Sequence, residues 1–123
     1  MKIEVSIGEI VDKLSILDIK RRNITDPVKL ENVCAEFEYL HNIVFNELNI
    51  DLKDYIDLIT TNECLWNIED RLRRMEAGKY FDDIFIEYAR QVYITNDKRA
   101  EQKRNINVKY GSKFIEEKSY EKY

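Results

Sequence analysis

Tyr93, Asn96, Arg99 and Lys103 follow one another at helical spacing, so one helix face carries all four. Together they could hold an anion. Arginine offers a bidentate fork to a phosphate or carboxylate, lysine a point charge, and tyrosine a stacking surface. On an earlier segment Glu63, Trp66 and Asp70 recur at the same spacing. There the acids could steady the basic groups or bind a sugar hydroxyl, and the only tryptophan adds a second aromatic face.

Both sets continue apolar stripes. Leu52, Ile56 and Ile59 lead into Glu63, Trp66, Asp70 and Arg73. Phe85 and Val92 lead into Asn96, Arg99 and Lys103, and the stripe returns to apolar at Ile106. Burying such groups costs several kcal/mol unless they are paired. The pattern therefore means either an internal ion-pair network or a ligand site. Folding the two segments as an antiparallel hairpin puts Asp70 opposite Arg90 and Arg73 opposite Glu87. It also brings Trp66 near Tyr93 and Ile94, and Asp57 near Lys103. That register favours a salt-bridge network at the Asp70 end. At the Arg99–Lys103 end, base exceeds acid with no local partner, which favours ligand binding. From Asp97 to Lys113 there are six Lys/Arg against two acids, in a chain of net charge −4.

Other chemistry has less support. His41 is the only histidine, and Cys34 and Cys64 the only cysteines, which is one N/S ligand short of a structural zinc site. Both thiols read as small hydrophobes rather than nucleophiles. Gly8, Gly78 and Gly111 are isolated, so no phosphate loop exists. Glu9 with Asp12, and Asp51 with Asp54 and Asp57, have the three-residue spacing that all-helical Mg²⁺-dependent nucleotide pyrophosphatases use. However, helix caps claim Glu9 and Asp51, and no Glu-x-x-Glu pair exists. Neither a metal nor a cofactor is expected.

The elements that must position these residues are helical. Three glycines and one proline among 123 residues are too few for a protein of many tight turns. Ser6 and Glu9 form a capping box after a short extended stretch, and a first helix runs to Asn23. Asp26-Pro27 starts a second, seamed by Leu30, Val33, Phe37, Leu40 and Val44 and ending near Asn49. Asp51 caps a third, ended by Gly78 as its C′ residue, with Leu58, Leu65, Leu72, Ile68 and Met75 as a firm apolar stripe and its likeliest kink at Thr60–Asn62. Asp82 or Asp83 caps a fourth that Gly111 stops, with a weak point at Thr95–Asp97. The expected architecture is all-α: an antiparallel bundle of about four helices over residues 1–111, then a Lys/Glu/Tyr-rich tail over 112–123.

No segment approaches the ~20 apolar residues of a membrane span, and no signal-peptide pattern opens the chain. The pI near 5.1 argues against general affinity for nucleic acid. These features, with two free thiols, predict a cytoplasmic protein. The first helix is apolar over more than one face and the second carries its own seam, which predicts a homodimer using both.

Glu-Val-Ser-Ile-Gly-Glu-Ile-Val-Asp-Lys-Leu-Ser-Ile-Leu at 4–17, the segments 65–73 and 92–107, and Gly111-Ser112 with 116–120 together resemble a family of small bacterial and phage proteins of unknown function. The resemblance spans nearly the whole chain and implies no activity. Through relatives placed near glycosyltransferase genes, the resemblance would only nudge the expected ligand towards a sugar or nucleotide-sugar. A looser similarity to the helical chorismate mutases matches no residue pattern. The expectation is a non-catalytic, homo-oligomeric binding module with a pocket for a small anion: a phosphate, nucleotide or nucleotide-sugar. The alternative is a small enzyme acting on a phosphorylated or carboxylate metabolite with the same residues.

Overall fold

The computed structural model covers residues 1–123 and contains four helices: α1 Ile7–Asn23, α2 Pro27–Asn42, α3 Leu52–Gly78 and α4 Asp83–Lys109. The bundle expected from sequence is present, with no strand and an irregular tail from Ser112. Caps explain most boundaries. Ser6 Oγ accepts the Glu9 N–H, Asp26 accepts the Lys29 N–H, and Asp82 accepts those of Ile84 and Phe85.

Several local expectations are corrected. Glu9 does not close the capping box, because its carboxylate reaches Lys103 instead. Asp51 occupies the N-cap position without a side-chain cap bond, its carboxylate being drawn to Lys109 at 3.0 Å. The second helix passes into a π-helical turn, Ile43–Glu47, before Asn49 turns the chain at φ 52°. Gly78 is the last residue of α3, and Lys79 takes the left-handed position at φ 60°. A Cβ at Gly78 would lie 2.3 Å from the Tyr80 ring, so glycine there makes room for an aromatic. Neither long helix breaks. Thr60 and Thr61 turn their hydroxyls back on the carbonyls of Ile56 and Asp57.

The α3–α4 hairpin is antiparallel in nearly the expected register. Gln102 donates to the Asp57 carbonyl, Arg71 stacks over Tyr88, and Lys109 bridges Asp51 and Asp54. Tyr110 donates to Asp54 at 2.6 Å and accepts the Asp51 N–H, fastening the base of the hairpin. The charges expected to pair across it do not. Asp70 and Arg73 are exposed with no ion pair, and Arg90 bonds Glu87 on its own helix.

The reason is the rotation of α3. Its inner face runs through Tyr55, Leu58, Asn62, Leu65 and Ile68, whereas Leu52 and Ile56 lie on the surface. The stripe leading to Asp70 is therefore an outer face. In place of an apolar seam, α1 lies in the groove of the hairpin, burying Val11, Leu14, Leu17 and Ile19. Its start touches α4 and its end touches α3, where Tyr55 donates to Asp18 at 2.6 Å. α2 packs on α1 and the π-helical turn, and its backbone stays away from those of α3 and α4. Most of the apolar surface of α1 is thus covered within the chain.

Candidate functional site

The buried polar centre joins α1, α3 and α4. Asp12 is 1 % exposed, and Arg99 grips it with both prongs of its fork at 2.9 and 2.6 Å. Asn62 spans Asp12 and Ser15 at 2.9 and 2.7 Å, and Ser15 Oγ donates back to the Asp12 carbonyl. Lys103 lies 3.9 Å from the same carboxylate and bonds Glu9 at 2.8 Å. One turn on, the Gly8 N–H donates to buried Asn107 at 2.6 Å. The base that lacked a local partner therefore finds its acids on α1, about ninety residues away in the chain.

Above this centre lies a cleft of about 750 Å³ between α4 and the tail. Tyr93, Asn96, Arg99 and Lys103 line it from α4, with Arg104 and Asn107; Glu116, Lys118, Tyr120 and Tyr123 line it from the tail. Ser112 starts the tail's return path: its hydroxyl accepts the Ile7 N–H and donates to the Phe114 carbonyl. Lys113 then bonds Glu4, Glu116 reaches Lys103 at 3.4 Å, and Glu117 pairs with Arg104. The chain end is held by Tyr123, whose hydroxyl donates to Asp97 and whose ring meets Tyr93 edge-on at 5.1 Å.

Electrostatics tighten this wall. The Lys118 hydrogen bond and the Lys103 charge hold the Glu116 carboxyl below its ordinary range. The hydrogen bond to Asp97 pushes the Tyr123 phenol above its own. Two cations, Lys103 and Arg104, thus meet tail carboxylates at the cleft.

Of the seven residues singled out from sequence, four share the cleft and three do not. Glu63 pairs with Arg22 of α1, Trp66 is half-buried on α3, and Asp70 is open to solvent. Sequence reasoning missed the tail residues, Arg104 and Asn107. The signal for them was the Lys/Glu/Tyr alternation after Gly111, which matches the basic stretch of α4 in charge. It also missed Glu9 and Asp12 as partners of the base. Those acids, which have metal-binding spacing, are held by Lys103 and Arg99, and Asp51 and Asp54 by Lys109.

A family model described as a family of unknown function (DUF6165) matches residues 1–123, and the chain belongs to that family. No curated protein and no solved structure matches it.

Proposed function

We propose that this family member is a non-catalytic, self-associating binding module whose α4–tail cleft takes a small anionic ligand bearing a flat ring, of the nucleotide or nucleotide-sugar kind. One observation carries the reading. Glu116 and Glu117 sit on Lys103 and Arg104 as the oxygens of a phosphate group would, beside tyrosines on both walls.

The roles divide by what each side chain already holds. Arg104 contacts the anion because its partner Glu117 comes from an irregular tail that can give way, and Lys103, which keeps Glu9 of α1 at 2.8 Å, exchanges only its longer bond to Glu116. Tyr93, Tyr120 and Tyr123 supply ring faces, and Asn96 a polar contact. Arg99 is a positioning residue: its fork is committed to Asp12, which fixes the turn of α4 that presents Lys103.

Binding is preferred to catalysis because Arg99, Lys103, Arg104, Glu116 and Lys118 at the cleft are all held in ion pairs. An enzyme acting on a phosphorylated metabolite needs an acid or base poised near the working pH. Glu116 is moved the other way, towards permanent ionisation.

The test is a thermal-shift screen of inorganic phosphate, nucleoside diphosphates and nucleoside diphosphate sugars, since a ligand of the folded state raises apparent stability by mass action. A ring-bearing phosphate should raise the melting temperature of wild-type protein and leave a Lys103→Ala, Arg104→Ala variant unmoved. Equal shifts in both proteins would refute the assignment.

A further inference from the structure

We infer that the outer half of the α3–α4 hairpin is a docking surface for a second copy of the same chain. This rests on the self-association in the reading above and supplies its surface, which differs from the helices expected from sequence.

Hydrogen bonds and ion pairs from α1 reach α3 only between Tyr55 and Glu63, and α4 only between Arg99 and Asn107. The α2 backbone approaches neither helix. Residues 64–98 therefore extend past the polar bonds of α1 as a two-helix arm, about 22 Å long at 1.5 Å per residue, whose α4 base at Tyr93 and Asp97 is covered by the tail. A pair of helices can bury only the seam between them, and a stable layer needs a second one across from it. In the arm only Leu65, Ile68 and Thr95 are buried. Tyr80, Phe81, Ile84 and Ile86 are all more than half exposed around its tip.

Surface area points the same way. A folded monomer of 14.8 kDa is expected to expose about 7,000 Å². This chain exposes 8786 Å². The open tail accounts for part of the excess of roughly 1,800 Å², and a standard interface removes about 800 Å² from each partner.

The charges identify the occupant. Over residues 64–79 the α3 side carries Arg71, Arg73, Arg74 and Lys79 against Glu69, Asp70 and Glu76, a small basic excess, while over 82–98 the α4 side carries Asp82, Asp83, Glu87 and Asp97 against Arg90 and Lys98, an acidic one in which Glu87 already pairs with Arg90. A two-fold axis that lays α3 of one arm against α4 of the other opposes base to acid twice, since an isologous contact repeats itself. The result is a four-helix layer of the ordinary antiparallel kind.

Light scattering of the full chain at tens of micromolar should give twice the chain mass. Phe81→Glu and Ile86→Glu alter positions already open to water, so both variants should keep the helical circular dichroism. Each should raise the dissociation constant at least about ten-fold, a loss of roughly 1.4 kcal/mol. Arg74→Glu and Glu87→Lys should each weaken the dimer, and an equimolar mixture of the two should restore it. A monomer mass for wild type overturns both self-association and the arm. A dimer unmoved by Phe81→Glu and Ile86→Glu overturns the arm alone. A mixture no tighter than either charge variant overturns the pairing of α3 with α4. Anion binding in the cleft is read separately, by the thermal shift.

Discussion

Asp12 is the residue on which the interior turns. It is a buried carboxylate with an arginine fork, an amide and a lysine around it, and removing a partner leaves charge stranded in a low-dielectric site. Arg99→Ala should destabilise the fold by about 3–5 kcal/mol in urea unfolding, towards the lower figure because Asn62 and Lys103 remain. A loss under about 1 kcal/mol would mean that the pair is open to water. Asp70→Ala, on the outer face, should change stability by less than about 0.5 kcal/mol. Gly8 supplies a second test. A Cβ there would meet the Lys103 carbonyl at 2.5 Å and Asn107 Oδ1 at 3.0 Å. Gly8→Ala should therefore force α1 off α4 and cost about 1–3 kcal/mol in the same assay, where a neutral result would show that the helices can part cheaply. Sequence reasoning saw Gly8 only as punctuation, because close approach of two backbones leaves no periodic trace. It recognised that Arg99 and Lys103 needed an explanation. It placed the network at Asp70 instead, since partners on α1 are distant in the chain and a register argument between neighbouring helices cannot reach them.

At the scale of elements, the helices were legible wherever a cap or a proline marks the end, as at Ser6, Asp26 and Asp82. The π-helical turn and the left-handed Lys79 were not, because tertiary packing chooses them over local preference. The rotation of α3 was half legible: the stripe of Leu58, Leu65 and Ile68 is buried as its spacing suggests, whereas Leu52 and Ile56 suggest a second inner face that is exposed. The tail is an element without secondary structure, fastened by ionised groups, so its docking should depend on pH at both ends. Glu116 titrates below its ordinary value of 4.5 when folded, so its contribution is complete above 4.5 and is lost as pH falls through the lower value. Tyr123 titrates above its ordinary value of 10.0, so its contribution is complete below 10.0 and is lost as pH rises through the higher one. Limited proteolysis should cut after Lys118 slowly between these bounds and faster outside them. Constant cutting across the range would mean that these bonds do not hold the tail.

The whole molecule is a three-helix junction from which an arm extends, with a charged strap laid along α4 as far as Tyr93 and Asp97. Its net charge of −4 conceals a basic stretch of α4 that α1 and the tail neutralise from opposite directions. The α1 side of that arrangement is buried and fixed, and the tail side is exposed and exchangeable. If the tail carboxylates stand in for a ligand, they compete with it, and weakening them must strengthen binding. Isothermal titration of a nucleoside diphosphate into wild type and a Glu116→Gln, Glu117→Gln variant measures that competition. The variant should bind about ten-fold more tightly, by roughly 1.4 kcal/mol, and the further change of Lys103 and Arg104 to alanine should abolish binding. Equal affinity in wild type and the glutamine variant, or binding that survives the loss of both cations, would contradict an anion site beneath the tail.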